Sequence, residues 1–247
     1  MLPMLRRLHV PQLASGRIDL PPAQAHHARD VLRLSSGDRV ELFDDTGAVA
    51  TAAITDCDAS GVSVLVESAD LSAAPPEKPK IIIASAIPKS TRADWMIEKL
   101  SELGVDRFIP LAAERSVVVP EGKQKIARWS RLAAEAARQS RRRGALKINP
   151  VTTIADLLDQ APSLCTKACC LSPESQTPIA DFLASAPTSL LMIVGPEGGW
   201  TDAETAMFDN ASLAPVRLTD TILRIETAAV VAAAIAAVLN SERSRPA

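Results

Sequence analysis

Tyrosine is absent from this chain of 247 residues, phenylalanine occurs four times and tryptophan three. With aromatics at 3% and apolar residues at 47%, the core has to be assembled from Ala, Val, Leu and Ile. Histidine does not occur after His27, and Cys165-x3-Cys169-Cys170 is not a zinc spacing, so no metal site is expected. Four cysteines over this length make no disulfide framework; they read as small buried hydrophobes in a reducing cytosol. Neither G-x-G-x-x-G nor G-x-x-x-x-G-K-[ST] occurs, which excludes the common dinucleotide and P-loop fingerprints. The longest apolar run, Ala228–Leu239, is too short to span a bilayer and reads as a buried helix. No apolar h-region accompanies Arg6-Arg7, so the expectation is a soluble cytoplasmic protein without signal peptide or membrane partner.

The formal charge of −2 conceals a strong asymmetry. Residues 1–72 carry six Lys/Arg against ten Asp/Glu, residues 78–150 sixteen against seven, and residues 151–247 five against eleven. A basic middle third inside an acidic chain points to a local patch for a polyanion. Its densest part is Lys123-x-Lys125-x-x-Arg128-x-x-Arg131, followed by Arg138 and Arg141-Arg142-Arg143. Only Glu121 and Glu135 lie nearby to balance it, which favours phosphate contact over a merely solvated helix face.

Two periodicities divide the chain near residue 75. Before it, Arg39–Phe43, Ala48–Ile54 and Val62–Val66 alternate with the turn signals Asp44–Gly47 and Ser60-Gly61, as in a small antiparallel barrel or sandwich. Pro21-Pro22 opens a short helix carrying His26, His27 and Arg29. The polar, proline-rich stretch 73–79 reads as a linker between domains 1–72 and 80–247. Beyond it, strands at Ile81–Ala84, Phe108–Leu111, Ala168–Leu171, Leu190–Val194 and Pro215–Leu218 alternate with helices. The first helix is capped by Ser90 or Thr91 and ends at Gly104; a long one spans 121–143; the last spans 226–240. This pattern predicts a parallel α/β sheet with helices on both faces.

The most informative segment is Leu191-Met-Ile-Val-Gly-Pro-Glu-Gly-Gly-Trp-Thr-Asp-Ala-Glu204. A strand breaks into Gly195-Pro196-Glu197-Gly198-Gly199, and Thr201 or Asp202 then caps a helix with Glu204 in its first turn. Glycines there let backbone groups approach a ligand without a Cβ in the way. About twenty residues on stands Leu223-Arg224-Ile225-Glu226-Thr227-Ala228. The pair resembles the SPOUT class of knotted methyltransferases, and within it the family that methylates N3 of a uridine in 16S ribosomal RNA. The resemblance extends through Arg6-Arg7-Leu8-His9, His27-x-x-x-Val31-Leu32-Arg33, Gly37-Asp38, Lys89, Glu98-Lys99-x-x-Glu102-Leu103-Gly104-Val105, Glu114-Arg115-Ser116 and Trp129.

That resemblance implies an α/β protein with a trefoil-knotted C-terminal SPOUT methyltransferase domain and a small N-terminal PUA-like β-barrel. It implies S-adenosyl-L-methionine as cofactor, 16S rRNA or the small ribosomal subunit as partner, and a homodimer in which both subunits complete the site. The cofactor residues carried over are Leu171, Gly195, Pro196, Glu197, Gly198, Leu218, Leu223, Arg224, Thr227 and Ala228. Arg224 is the first candidate to stabilise charge on the reacting uracil. Glu226 either orients Arg224 or caps the last helix, and Arg115 contacts phosphate or base. Candidate RNA contacts are Arg6, Arg7, His9, His27, Arg33, Lys89, Arg131, Arg138, Gln139 and Arg142. A barrel-anchoring role for His27 stays open beside RNA contact.

The chain departs from the family pattern in three places. Glu-Gln-[Cys/Ser]-Gly-Arg becomes Arg138-Gln139-Ser140-Arg141-Arg142, which removes an obvious helix-borne general base. Leu-Gly-Pro-Arg-x-Leu-Arg becomes Leu218-Thr219-Asp220-Thr221-Ile222-Leu223-Arg224, and Ile225 stands where the family has Thr. Two rivals remain: a SPOUT enzyme acting on a ribose 2′-oxygen, and an RNA-binding assembly factor that lost the reaction. The barrel argues against the first, and the intact glycine loop and Leu223–Thr227 against the second.

Overall fold

Short strands packed in one small sheet give way, after residue 80, to strands separated by helices. A computed structural model describes residues 5–44, 48–69, 80–89, 91–118, 123–140, 142, 144–185 and 187–243. The expected linker 73–79, the turn residues 45–47, the cap Ser90, Glu121, Arg141 and Arg143 lie outside the described residues. The chain falls into two compact units, Met1–Pro75 with Ala137–Ala145, and Pro76–Ala136 with Leu146–Ala247.

The first unit holds β1 (Arg6–His9), β2 (Gly16–Asp19), α1 (Pro22–His26), β3 (Arg39–Phe43), β4 (Val49–Asp58) and β5 (Gly61–Ala69) in a sheet of order β1-β3-β4-β5-β2. Its pairs are antiparallel except β1 with β3. The β4–β5 turn forms because Asp58 Oδ1 accepts the Ser60 N–H at 2.7 Å and the Gly61 N–H at 3.2 Å. Alternate residues of β4 (Ala50, Ala52, Ile54) face a core with Leu8, Val40, Leu42, Val62 and Val64. After α1 the chain makes a π-helical turn, His27–Val31. Strands β1 and β2 escape the sequence pattern because each is four residues long, too short to show a period.

The second unit is a parallel sheet of order β12-β10-β11-β6-β7-β8, with β9 paired to β7. Its elements are β6 (Lys80–Ser85), α2 (Arg92–Glu102), β7 (Arg107–Ala112), α3 (Lys123–Gln139), β8 (Lys147–Ile148), β9 (Thr152–Thr153), α4 (Ile154–Leu164), β10 (Lys167–Leu171), α5 (Ile179–Leu183), β11 (Ser189–Val194), α6 (Asp202–Asn210), β12 (Ala214–Val216) and α7 (Ile225–Arg243). The last residues of α3 group with the first unit. Burial alternates along the strands. Ile81, Ile83, Cys169, Leu190 and Met192 pack into one core with α2, α3 and α7. Ile82, Ala84, Cys170, Leu191 and Ile193 pack into another with α4 and α6. Helices therefore cover both faces, which is why these strands read as unbroken apolar runs.

Several helix ends follow their chemistry, and the start of α2 does not. Thr201 Oγ1 accepts the Glu204 N–H while Glu204 Oε2 accepts the Thr201 N–H, a complete capping box on α6. Gly104 closes α2 at φ +84. The exception is Thr91 at the start of α2, whose side chain caps nothing and whose φ of −70 and ψ of −11 are already helical. Cys169 and Cys170 are buried, as expected, whereas Cys57 and Cys165 are half-buried.

Candidate active site

In an open parallel sheet, ligands bind beyond the carboxyl ends of the strands. Here β12, β10, β11 and β6 are neighbours, so the segments after Leu171, Val194, Val216 and Ser85 leave the sheet side by side. Leu171 stands opposite Val216, and the Ala86 N–H donates to the Val194 carbonyl at 3.0 Å. Leu171, Gly195 and Leu218 thus come together from three separate stretches of sequence.

The glycine loop is shaped by the protein's own side chains. A Cβ on Gly195 would lie 2.8 Å from the Trp200 ring, and one on Gly198 would lie 3.3 Å from the Arg115 Cβ. Trp200 and Arg115 thus pack against the bare faces of these two glycines. Gly199 takes φ +70, and its N–H donates to the Pro196 carbonyl at 3.0 Å, closing the turn. Arg115 donates from Nη1 to the Gly198 carbonyl at 2.9 Å and to the Trp200 carbonyl at 3.3 Å. Glu204 is buried, and its Oε1 accepts the Glu114 N–H at 2.8 Å. The segment after β7 is thereby fastened to the loop after β11 by both a carboxylate and a guanidinium.

Beside this loop opens a groove of about 250 Å3, walled by Ile87, Lys89, Val117, Pro196, Glu197 and Ile225. Lys89, expected at RNA, stands in this wall. Pro196 is buried, Glu197 and Gly198 are exposed, Leu223 and Thr227 are half-buried, and Ala228 is buried on the first turn of α7. The side chain of Arg92 crosses from α2, with Nη1 3.8 Å from Glu197 Oε1 and 3.4 Å from Glu226 Oε1. Glu226 is buried, and its Oε2 has no hydrogen-bond partner among the described residues. Its other carboxylate oxygen, Oε1, pairs with Arg92. Arg224 is exposed, and its carbonyl accepts the Ala228 N–H at 2.8 Å, starting α7. Among the described residues no ion pair engages its guanidinium, which leaves it available. In the altered segment, Arg217 pairs with Asp220 at 3.2 Å and Thr219 Oγ1 donates to the Thr221 carbonyl at 2.8 Å, so a turn forms without the family's Gly-Pro.

The RNA candidates separate. Arg7 is 6% exposed, pairs with Glu41 and stacks 4.6 Å over the Phe43 ring, so it is a core residue and not a phosphate contact. His9 packs 5.2 Å from the same ring. Arg6 is exposed, His27 is half-buried, and Arg33 is exposed at the left-handed φ of 54. Arg131 is exposed on α3, while Arg138, Gln139 and Arg142 fall in the segment that groups with the first unit. Part of the basic run is structural: Arg128 pairs with Asp94 at 2.5 Å, and Lys125 stands 5.2 Å over the Trp129 ring.

Residues 76–237 match the family model of the RNA methyltransferase domain, and residues 20–67 that of the RNA methyltransferase PUA domain. The chain belongs to the RNA methyltransferase family. Its relatives in the family include the ribosomal RNA small subunit methyltransferase E of Synechocystis, 32% identical over 93% of this chain and 76% of that protein. The protein of the same name from Bacillus subtilis is 34% identical over 83% of each chain. The crystal structure of ribosomal RNA small subunit methyltransferase E from Neisseria gonorrhoeae, bound to S-adenosyl methionine, superposes with a TM-score of 0.84. It is 30% identical and covers 96% of this chain and 98% of that one. Membership accounts for the parallel sheet and the N-terminal PUA unit expected from sequence. No helix among the described residues is long and apolar enough to cross a membrane, and none of their His, Cys, Asp and Glu residues form a metal-binding group.

The residues that sequence reasoning missed are Arg92, Glu204 as a tether, and Trp200. Arg92 did carry a signal. A cation in the first turn of a helix opposes the helix dipole, so it belongs there only with anionic partners elsewhere.

Proposed function

We propose that this methyltransferase uses S-adenosyl-L-methionine to methylate N3 of a uridine in the 16S rRNA of the small ribosomal subunit. The reading includes a cytoplasmic homodimer and a trefoil-knotted second unit. The observation that carries it is the meeting of Glu197, from the glycine loop, and Glu226, from the Leu223–Ala228 segment, on one guanidinium beside one groove.

The residues present fit the cofactor. A buried carboxylate oxygen without a donor, at Glu226, leaves an acceptor to be satisfied. Carboxylates suit the positive charge of a sulfonium, and half-buried Leu218 and Leu223 supply apolar flanks. Bound there, the cofactor supplies an electrophilic methyl group.

The chain's own residues have to make uracil N3 a nucleophile. Neutral N3 carries a proton, and its loss puts negative charge on O2 and O4. Arg224 is exposed and has no ion pair of its own among the described residues, so its guanidinium can meet that charge. Arg115 is committed to two carbonyls and shapes the loop instead. Exposed Arg6, Arg33 and Arg131 are the phosphate contacts of this reading.

Nucleoside mass spectrometry of 16S RNA from a deletion strain, with and without the restored gene, tests the proposal. The expected result is loss and return of one N3-methyluridine. A methyl group on ribose, or no change beside normal calorimetric cofactor binding, would replace the base target with another.

A further inference from the structure

Arg92 lies outside both motifs that carry the resemblance, yet it is where they meet. It is the first residue of α2, a helix whose first-turn cation is disfavoured by the dipole. Its Nη1 is 3.4 Å from Glu226 Oε1 and 3.8 Å from Glu197 Oε1, and its side chain is about one-third exposed, at 35%. The two acids differ sharply in environment. The side chain of Glu226 is 7% exposed and that of Glu197 47%. A buried carboxylate without a countercharge is costly, and removing one partner of such a pair is far worse than replacing both. Arg92 also has the geometry for this place, since a guanidinium offers several donors in a fixed fork and an ammonium does not.

We infer that Arg92 is a positioning residue that holds the glycine loop and the start of α7 in the spacing the cofactor requires. It acts through Glu226 and Glu197 and touches no reacting atom. Held by Oε1, the Glu226 carboxylate keeps one orientation, and its unpartnered Oε2 remains an acceptor. With Arg92 gone, the uncompensated charge drives Glu226 towards water. Ile225 precedes it on the same turn, so the part of the groove wall that Ile225 builds moves with it. Neutralising Glu226 as well removes that drive. The loss is therefore repaired by a second substitution, which a plain packing defect would not be.

The inference rests on the cofactor reading of the groove, and calorimetric titration with S-adenosyl-L-methionine separates the two. Wild-type protein that binds no cofactor sinks the functional reading itself. If it binds, Arg92→Ala is expected to weaken affinity at least about tenfold, with RNA affinity unchanged. Arg92→Lys keeps the charge without the fork and is expected to lose about threefold. In thermal denaturation the double variant Arg92→Ala with Glu226→Gln is expected to recover stability relative to Arg92→Ala alone, because the uncompensated buried charge is gone. In steady state the effect should appear in KM for the cofactor more than in kcat. Wild-type affinity in Arg92→Ala overturns the inference, and so does a double variant less stable than the single one. Should Arg92→Ala fail to fold, wild-type affinity in Arg92→Lys overturns it equally.

Discussion

Arg115 Nη1 lies 2.9 Å from the carbonyl oxygen of Gly198, eighty-three residues away in sequence. This bond, with the one to Trp200, turns a residue expected at RNA into a brace for the glycine loop. The same pair crowds position 198: a Cβ there would stand 3.3 Å from the Arg115 Cβ.

Gly195→Ala should be the more damaging of two loop substitutions. Its Cβ would stand 2.8 Å from the Trp200 ring, which is itself packed edge-on against Phe208 at 4.9 Å. The ring has to shift, at a cost of roughly 1–3 kcal/mol. Gly198→Ala meets only the stem of Arg115 at 3.3 Å and should cost less. Urea midpoints of both variants check the order; the reverse order would mean that Trp200 moves freely.

Glu204→Ala should destabilise the second unit and loosen Arg115. It deprives the N–H groups of Glu114 and Thr201 of their acceptor. Leaving such donors unsatisfied costs about 1–3 kcal/mol each. Thr201→Ala removes only the other half of the capping box, about 1 kcal/mol. Denaturation curves of the two variants test the difference.

Arg131 and Arg7 should part company in RNA binding. Arg131→Ala is expected to lower the salt slope of RNA affinity by roughly one unit with stability unchanged. Arg7→Ala should instead lower the melting temperature, because it removes a buried partner of Glu41 and Phe43. An unaltered salt slope in Arg131→Ala would show that this face is solvated and idle.

Arg224→Ala should lower the single-turnover methylation rate about 10²–10³-fold, or roughly 2.7–4 kcal/mol, with RNA affinity nearly unchanged. Higher pH should partly restore the variant, since more N3 is then deprotonated. A normal rate with weakened cofactor binding would make Arg224 a binding residue.

The buried thiols give a pH dependence with a definite sign. Burial pushes Cys170 up to about 11 from an ordinary 9.0, and Cys169 further in the same direction. The folded state therefore favours the neutral thiols. The contribution of Cys170 to stability is complete below pH 9 and is lost as pH rises through the range from 9 to about 11. Urea midpoints at pH 8 and pH 10.5 should fall less for Cys170→Ala than for the wild type.

The sequence alone determined the elements that local rules govern. The β11 strand, the glycine turn, a helix capped at Thr201 or Asp202 with Glu204 in its first turn, and the Gly104 stop were legible because each is encoded within a few residues. Burial on both faces was legible in the unbroken apolar strands, and the two motifs pointed to the site. Tertiary structure decided what those motifs touch. The strand order sets β11 between β10 and β6, bringing Arg92 to Glu226 across 134 residues and Glu204 to Glu114 across 90. It also decided that Arg7 lies inside and Arg131 outside, although the sequence offered both as RNA contacts. Periodicity reports which face of an element is buried. It says nothing about which distant element covers that face, and the partners of a charge depend on that alone.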